Sequence, residues 1–229
     1  MRSLIILIIL LFIYYNCKNK IRLNKDTFEN KEKVYNYCHI PKTAGSSIQV
    51  SAKNRDDIQF NGHRKSRKCS EIDNTFAIIR NPVDRFISSF NYCKYGSKMW
   101  GIGGDSIINN KNEDINDFIS KLKNGDKDSW KIINAKNGTC GQGHWTSQHD
   151  FIGDDTKLAC YNSDSSILEN NLNKVLKDIP YLKLEHANKT HVRNNTTKRS
   201  DLTQESIDWI EDHYSKDLEF WKNNTCDSQ

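Results

Sequence analysis

The sequence contains no internal repeat, no low-complexity linker and no apolar run long enough for an ordinary membrane-spanning helix. Its longest apolar run, residues 4–15, is shorter than the roughly 20 residues that such a helix needs. The chain has 229 residues, of which 36% are hydrophobic, so it is long enough to bury a core and suits one α/β domain better than two. Its net charge of +5 fits an anionic partner but does not choose among nucleic acid, membrane and polyanionic glycan.

The N-terminal apolar run has the length of a signal-peptide core, about 7–15 residues, but no small-x-small cleavage site follows it. Tyr14 and Tyr15 at its end suit the aromatic belt of an uncleaved anchor. We therefore predict a signal-anchor over residues 1–17 and a stem over residues 18–33, with a cleaved signal peptide as the alternative. The basic residues after the run are Lys18, Lys20 and Arg22. They outnumber the single charge before it, so the positive-inside rule argues against a lumenal C-terminus.

Seven cysteines are many for a cytosolic domain of this length, and they favour an oxidising compartment. Cys17 lies at the predicted membrane edge, and the other six allow many pairings. We prefer a bridge between Cys140 and Cys160, which flank one loop. Cys38 lies in an apolar segment and is either bridged or a buried thiol. The sequons, which support a lumenal location, are at Asn137, Asn188, Asn194, Asn195 and Asn223.

The most informative stretch is residues 34–47. Its first half is β-branched and aromatic, as in a buried strand; Pro41 ends this strand, and Ser46 and Ser47 begin a helix. A strand, a tight turn and a helix point several backbone N–H groups at one spot, where Lys42 adds a positive charge. The turn is therefore predicted to bind a phosphate-like anion. It is not the ATP-binding motif Gly-x-x-x-x-Gly-Lys-[Ser/Thr], because Lys42 comes before the glycine.

A second apolar segment, residues 75–80, is predicted to be a central strand that ends in Arg80. Ligands of open parallel sheets collect at the carboxyl ends of the strands, so Arg80 stands where a phosphate would bind. A salt bridge at the strand end is the alternative for this residue. Pro82 is predicted to begin the next helix, and Arg85 is expected to pair with a neighbouring carboxylate.

These two stretches resemble the sulfotransferases that use 3′-phosphoadenosine 5′-phosphosulfate (PAPS), in particular their membrane-bound carbohydrate branch. Residues 39–47, His-Ile-Pro-Lys-Thr-Ala-Gly-Ser-Ser, resemble the 5′-phosphosulfate loop, and residues 76–90 resemble the 3′-phosphate motif. The resemblance implies a P-loop-like phosphosulfate-binding turn made of Pro41, Lys42, Thr43, Ala44, Gly45, Ser46 and Ser47. It assigns the 3′-phosphate to Arg80 and Ser88. We predict an α/β fold over residues 34–229, a three-layer sandwich with a mainly parallel central sheet.

The resemblance also implies catalytic roles and calls for no metal. Lys42 would neutralise the oxygen that leaves the sulfur, and His63, in the basic loop after the first helix, would take the proton from the attacking hydroxyl. An exposed loop histidine is the alternative reading of His63. A metal site at His144 and His149 is disfavoured, because a spacing of i, i+5 does not place both rings on one helical face.

Residues 138–150 combine an indole ring, amides and imidazoles, which suit a sugar. We predict that the acceptor contacts Trp145, Gln148 and His144, with packing in the core as the alternative for the tryptophan. Apolar spacing predicts helices over residues 115–122 and 166–179, the second ended by Pro180, and Thr203 is predicted to cap the last helix.

The sequence therefore predicts a PAPS-dependent carbohydrate O-sulfotransferase that acts on a hydroxyl of a glycan or glycosaminoglycan, without a nucleic-acid partner. Its predicted location is the Golgi membrane, as a single-pass type II protein facing the lumen; cleavage of the first segment would make it secreted. One alternative is a non-catalytic relative that binds anionic glycans. The other is a nucleotide-kinase-like P-loop protein, which the missing magnesium carboxylate after the second strand disfavours.

Overall fold

The computed structural model describes residues 14–15, 18, 33–60, 69, 72–97, 102–103, 113–138, 140–141, 143–185 and 196–226. The chain divides into two compact units, Met1–Lys33 and Val34–Gln229, and the elements named below belong to the second. The predicted anchor and stem lie almost entirely outside the described residues. Within the described ranges, no helix has both the length and the apolar character needed to cross a membrane.

The central sheet consists of β1 (Tyr35–Tyr37), β2 (Ile58–Phe60), β3 (Thr75–Ile79) and β6 (Lys157–Cys160). These strands are parallel and lie in the order β2-β1-β3-β6. A separate antiparallel pair consists of β4 (Gly96–Ser97) and β5 (Ile102–Gly103). The chain passes from β1 to β2 on one side and then returns to β3 on the other side of β1. This reversal opens a crevice at the carboxyl ends of β1 and β3, where α/β sheets bind their ligands.

The α-helices of this unit are α1 (Gly45–Ser51), α2 (Pro82–Tyr95), α3 (Ile115–Lys123), α4 (Lys127–Ile133), α5 (Ser165–Val175), α6 (Gln204–His213) and α7 (Ser215–Asn223). Short 3₁₀ turns cover Gln148–Phe151 and Arg199–Asp201.

Helices cover both faces of the central sheet. On one face, Phe76 and Ile78 of β3 pack in a core with residues of α1 and α5. On the other face, Ala77 and Ile79 pack with Trp221 of α7. Because successive strand residues point to opposite faces, the continuous apolar run of β3 supplies both cores. This arrangement confirms the predicted three-layer α/β fold, and the sheet of four strands is parallel throughout.

A further core forms where α2, α3 and α6 pack against one another. It includes Phe90 of α2 and Phe118 of α3, whose ring centroids lie 5.6 Å apart. Pro82 is the first residue of α2, as predicted. The predicted cap of α6 is also present, since the hydroxyl of Thr203 accepts a hydrogen bond from the N–H of Ser206 at 3.2 Å.

The observed elements differ from the predicted ones mainly at their ends. The first strand, expected over residues 34–40, ends at Tyr37. The helix expected to reach residue 179 ends at Val175, and a turn in which the N–H of Ile179 donates to the carbonyl of Leu176 leads to Pro180. The C-terminal helix is divided at Tyr214, whose φ of −108° and ψ of 35° are not helical.

Three disulfides link the elements of this unit: Cys38–Cys69, Cys93–Cys140 and Cys160–Cys226. The predicted Cys140–Cys160 bridge is therefore wrong, as is the reading of Cys38 as a buried thiol. Cys140 lies against α2, and the strand that ends in Cys160 lies beside the C-terminal end of α7, so tertiary packing separates two cysteines that flank one loop. Such bridges are typical of the secretory pathway.

Candidate functional site

The turn after β1 has an unusual backbone. Lys42 and Ala44 have φ values of 71° and 70°, in the left-handed region that non-glycine residues seldom adopt. Gly45 begins α1, and a Cβ at this position would overlap the imidazole ring of His39. The close approach of that ring therefore requires glycine. Strained conformations of this kind are typical of ligand-binding turns.

Neighbouring groups hold the turn in place. The hydroxyl of the buried Thr43 donates to the carbonyl of Ile40 at 2.7 Å. Ser46 and Ser47 are partly exposed at the start of α1, and the helix has no side-chain cap because Ala44 occupies the N-cap position. The predicted strand, turn and helix are thus present, with hydroxyl groups at the open side of the turn.

Lys42 places its ammonium group on an aromatic ring. Its Nζ lies 3.9 Å from the centroid of the Tyr92 ring, which α2 supplies. Burial lowers the pKa of Lys42 to about 7, and the positive charges of Arg80 and Arg85 act in the same direction. The ion pairs of the described residues do not include Lys42. A negative charge placed beside Lys42 would therefore stabilise the charged form of its amine.

Arg80 follows β3 and reaches the same turn. Its Nη1 donates to the carbonyl of Lys42 at 3.2 Å, and its guanidinium carbon lies 4.3 Å from the centroid of the Tyr161 ring. Its Nε is buried and has no hydrogen-bond partner in the described part of the chain. Burial lowers the pKa of Arg80 as well. The structure thus brings the two predicted phosphate-binding cations together, and one of them has an unused donor.

A hydrogen-bonded connection runs from the backbone of Arg80 to α7. The side chain of Gln148 accepts from the N–H of Arg80 at 2.9 Å and donates to its carbonyl at 2.8 Å. Asp217 of α7, 1% exposed, accepts from the N–H groups of Gln148 and His149 and from the hydroxyl of Ser147. Asp217 therefore fixes the 3₁₀ turn, and this turn fixes the backbone at Arg80.

Arg85 has a different role from the one that the sequence indicated. Instead of pairing with a neighbouring carboxylate, its Nε donates to the carbonyl of Pro41 at 3.0 Å and its Nη2 donates to the carbonyl of Gly143 at 3.3 Å. The side chain is only 3% exposed, and its burial lowers its pKa. The inward face of α2 places this guanidinium beneath the turn, within reach of these two carbonyls. Arg85 therefore supports the turn from the inside.

Ser88 lies half-buried on α2. It is four residues before Tyr92, so the two side chains lie on the same side of the helix, toward the side chain of Lys42. Contact of Ser88 with a phosphate stays a prediction.

The three residues predicted to contact the acceptor are buried. Trp145 is 5% exposed and packs on Phe86 at 5.0 Å between ring centroids. Gln148 uses its amide on the backbone of Arg80, as described above. His144 contacts Tyr92, the residue whose ring holds Lys42, with 4.8 Å between the two ring centroids. Acceptor contact by these residues stays a prediction. In the structure, Trp145 packs in the core and Gln148 holds the backbone of Arg80.

His63 lies outside the described residues, so its catalytic role stays a prediction. The strand before it ends at Phe60, whose ring centroid is 5.1 Å from that of His39 beside the turn. In the described ranges, no cluster of three or more His, Cys, Asp or Glu side chains is placed to hold a metal ion.

Sequence reasoning missed Tyr92, Tyr161 and Asp217. Tyr161 directly follows β6, so its place beside Arg80 could have been inferred only if residues 157–160 had been recognised as the strand next to β3. Tyr92 follows Ser88 by one helical turn, which is a usable signal. No local pattern marks Asp217, because the groups that it caps lie about 70 residues earlier in the chain.

The fold and site define an α/β protein with two cations, Lys42 and Arg80, at a strained turn on the carboxyl edge of a parallel sheet. Residues 25–222 match the model of the sulfotransferase family. Because this match covers most of the chain, the protein belongs to the sulfotransferase family. No curated protein and no solved structure matches it.

Proposed function

We propose that this sulfotransferase transfers the sulfuryl group of PAPS to a hydroxyl of a glycan. The observation that carries the proposal is the meeting of Lys42 and Arg80 at one edge of the sheet, beside a strained turn. Neither takes part in an ion pair of the described residues, and the Nε of Arg80 is buried without a partner. Partly buried cations of this kind are stabilised by an anionic ligand, and PAPS carries two phosphate-bearing ends.

Residues of the turn and of the segment from Arg80 to Ser88 can be assigned to the two phosphate-bearing ends of PAPS. Thr43, Gly45, Ser46 and Ser47 would surround the 5′-phosphosulfate, together with Pro41 and Ala44 of the same turn. Arg80 and Ser88 would bind the 3′-phosphate, since a guanidinium grips phosphate with two donors. Arg85 holds the turn through the carbonyl of Pro41 and does not need to touch the nucleotide.

The reaction would be an in-line displacement at sulfur. The acceptor oxygen forms a bond to sulfur while the bond from sulfur to the bridging oxygen breaks, and the electron pair of that bond stays on the leaving phosphate. Lys42 would stabilise the charge that develops on this oxygen, and His63 would accept the proton of the hydroxyl. Positioning and electrostatic stabilisation would supply most of the rate enhancement, and no metal is required.

The topology supports the role of His63. The strands β1 and β2 are parallel neighbours, with Tyr37 opposite Phe60. The chain therefore leaves β2 at the same edge of the sheet as the turn that carries Lys42, three residues before His63.

We further propose that the acceptor is a glycan or glycosaminoglycan in the Golgi lumen and that residues 1–17 anchor the protein as a type II membrane protein. Three disulfides and the exposed sequon asparagines Asn137 and Asn223 support an oxidising, glycosylating compartment. The expected absence of a nucleic-acid partner belongs to the same proposal. Secretion after cleavage is the alternative location.

Incubation of the purified full chain with labelled PAPS and a panel of glycans tests the proposal. Transfer of label to one glycan class, lost in Lys42→Ala, is the expected result. Tight binding of the nucleotide or a glycan without any transfer would favour a non-catalytic glycan-binding relative. Transfer of phosphate from a nucleoside triphosphate would favour the kinase-like alternative.

A further inference from the structure

The two cations of the site share one structural feature, which is that each rests on the face of a tyrosine ring. The ammonium group of Lys42 lies 3.9 Å from the centroid of Tyr92, and the guanidinium of Arg80 lies 4.3 Å from the centroid of Tyr161. The ion pairs of the described residues involve other cations, namely Arg55, Lys121, Lys123, Lys131, His149 and Arg199. The nearby carboxylate of Asp84 is paired with Arg199.

A tyrosine ring and a carboxylate hold a cation in different ways. A carboxylate neutralises the charge and competes with an incoming phosphate, whereas the quadrupole of a ring attracts the cation and leaves its net charge in place. A cation held on a ring is therefore ordered before the ligand arrives, and no carboxylate competes with the ligand for it. This arrangement suits a site that must grip an anion and release it again.

Both tyrosines are fixed by the fold. Tyr161 directly follows β6, and its N–H donates to the carbonyl of Ile79 at 2.7 Å, which places its ring beside the residue that follows β3. The preceding residue, Cys160, is joined to Cys226. Tyr92 lies in the last part of α2, one turn beyond Ser88, with its ring also in contact with His144. The burial of Tyr92 raises its pKa, so its hydroxyl stays neutral.

We propose that Tyr92 and Tyr161 are positioning residues whose ring faces hold Lys42 and Arg80 for the anionic ends of the nucleotide. Tyr161 acts on the cation assigned to the 3′-phosphate, and Tyr92 acts on the cation assigned to the transferred group. This inference rests on the proposed function. The two tyrosines should therefore affect different kinetic parameters.

The test compares binding of adenosine 3′,5′-bisphosphate and adenosine 5′-monophosphate to the full chain by calorimetry. Tyr161→Leu is expected to weaken the bisphosphate about three- to thirtyfold, with little change for the monophosphate, because only the first carries the 3′-phosphate. Tyr161→Phe keeps the ring face and should bind like the wild type. Tyr181→Leu, which alters an exposed tyrosine bonded to Glu169, is the matched control and should also bind like the wild type.

Steady-state kinetics with PAPS tests Tyr92. Tyr92→Leu is expected to lower kcat about three- to thirtyfold with a smaller change in KM, because Lys42 acts mainly on the leaving oxygen, and Tyr92→Phe should restore the rate. A general loss of structure would lower binding of both nucleotides and would not be rescued selectively by phenylalanine.

The outcomes separate the inference from the function on which it rests. A wild-type protein that binds both nucleotides equally and transfers no sulfate overturns the proposed function and the inference together. If the wild type prefers the bisphosphate and Tyr161→Leu prefers it by the same factor, the inference alone is overturned. Loss of the preference in Tyr161→Phe also overturns it, and this variant is informative even if the leucine variant does not fold.

Discussion

Binding of adenosine 3′,5′-bisphosphate is expected to be coupled to proton uptake by Lys42 above neutral pH. In the free protein, burial and the charges of Arg80 and Arg85 lower the pKa of Lys42 to about 7. Among the described residues, the other groups beside it, Tyr92 and through it His144, bring no negative charge. An anionic phosphate beside the amine favours the charged form and raises its pKa again. The amine therefore gains a proton when the ligand binds.

The size and sign of the effect follow from this pKa. At about pH 8, roughly one tenth of the free protein carries the proton on Lys42, so binding takes up about 0.9 proton. At about pH 6 the amine is already charged, and uptake by this residue falls below about 0.1 proton. Above pH 7, the contribution of Lys42 makes binding weaker by up to about tenfold for each pH unit. Affinity should thus fall as the pH rises.

Calorimetric titration in buffers of different ionisation enthalpy measures this uptake directly. Lys42→Met is the matched control, because its side chain has a similar length and cannot titrate, so protons taken up by histidines remain in both proteins and cancel. The expected difference between the two proteins at about pH 8 is close to one proton. Equal uptake by wild type and Lys42→Met at this pH would refute the reasoning, since it would show that the amine is already charged in the free protein.

Three other predictions concern different parts of the molecule. His63→Ala should lower kcat by about 10²–10⁴-fold and leave nucleotide affinity nearly unchanged, and a wild-type rate in steady-state assays would place the base elsewhere. Asp217→Ala should lower the free energy of unfolding by about 3 kcal/mol, as measured with urea, because three donors, one buried and two partly buried, lose their acceptor. It should also raise the KM for PAPS by loosening the backbone at Arg80. Protein from its native host should carry glycans at Asn137 or Asn223, and unmodified peptides with free thiols in mass spectrometry would contradict the lumenal location.

The fold was largely predictable because its signals are local. The apolar run at residues 75–79 indicates a strand buried on both faces, and Pro41 marks the turn after the first strand, although that strand ends earlier, at Tyr37. Helix starts were also readable, since Pro82 occupies the first helical position, where its missing N–H costs nothing, and Thr203 accepts from an N–H three residues on. The ends of helices were harder to predict, as Val175 illustrates, because this helix ends five residues before the proline that was expected to stop it.

The positions of the two charged residues of the site were predictable from the sequence. The contacts that hold them in place were not. Lys42 and Arg80 stand at strand ends, where a simple rule about parallel sheets applies. The expected ion pair of Arg85 was wrong because the sequence shows which carboxylates are near along the chain, whereas α2 turns this side chain toward the carbonyls of Pro41 and Gly143. The predicted Cys140–Cys160 bridge was wrong for the same reason, since it was inferred from nearness along the chain. Pairing over long sequence distances depends on which elements pack together.

The position of Gln148 shows why contacts of this kind matter for function. From sequence, its amide is equally suited to a sugar hydroxyl or to a backbone, and nearby histidines favoured the sugar. In the fold, its two amide atoms bond the N–H and the carbonyl of Arg80, as a neighbouring strand would. These two groups point to the β1 side of β3, as the carbonyl of Phe76 does, and β1 has already ended at Tyr37, level with Phe76. Gln148 therefore takes the place of a strand beside Arg80, and this residue is the cation on which the proposed nucleotide selectivity depends.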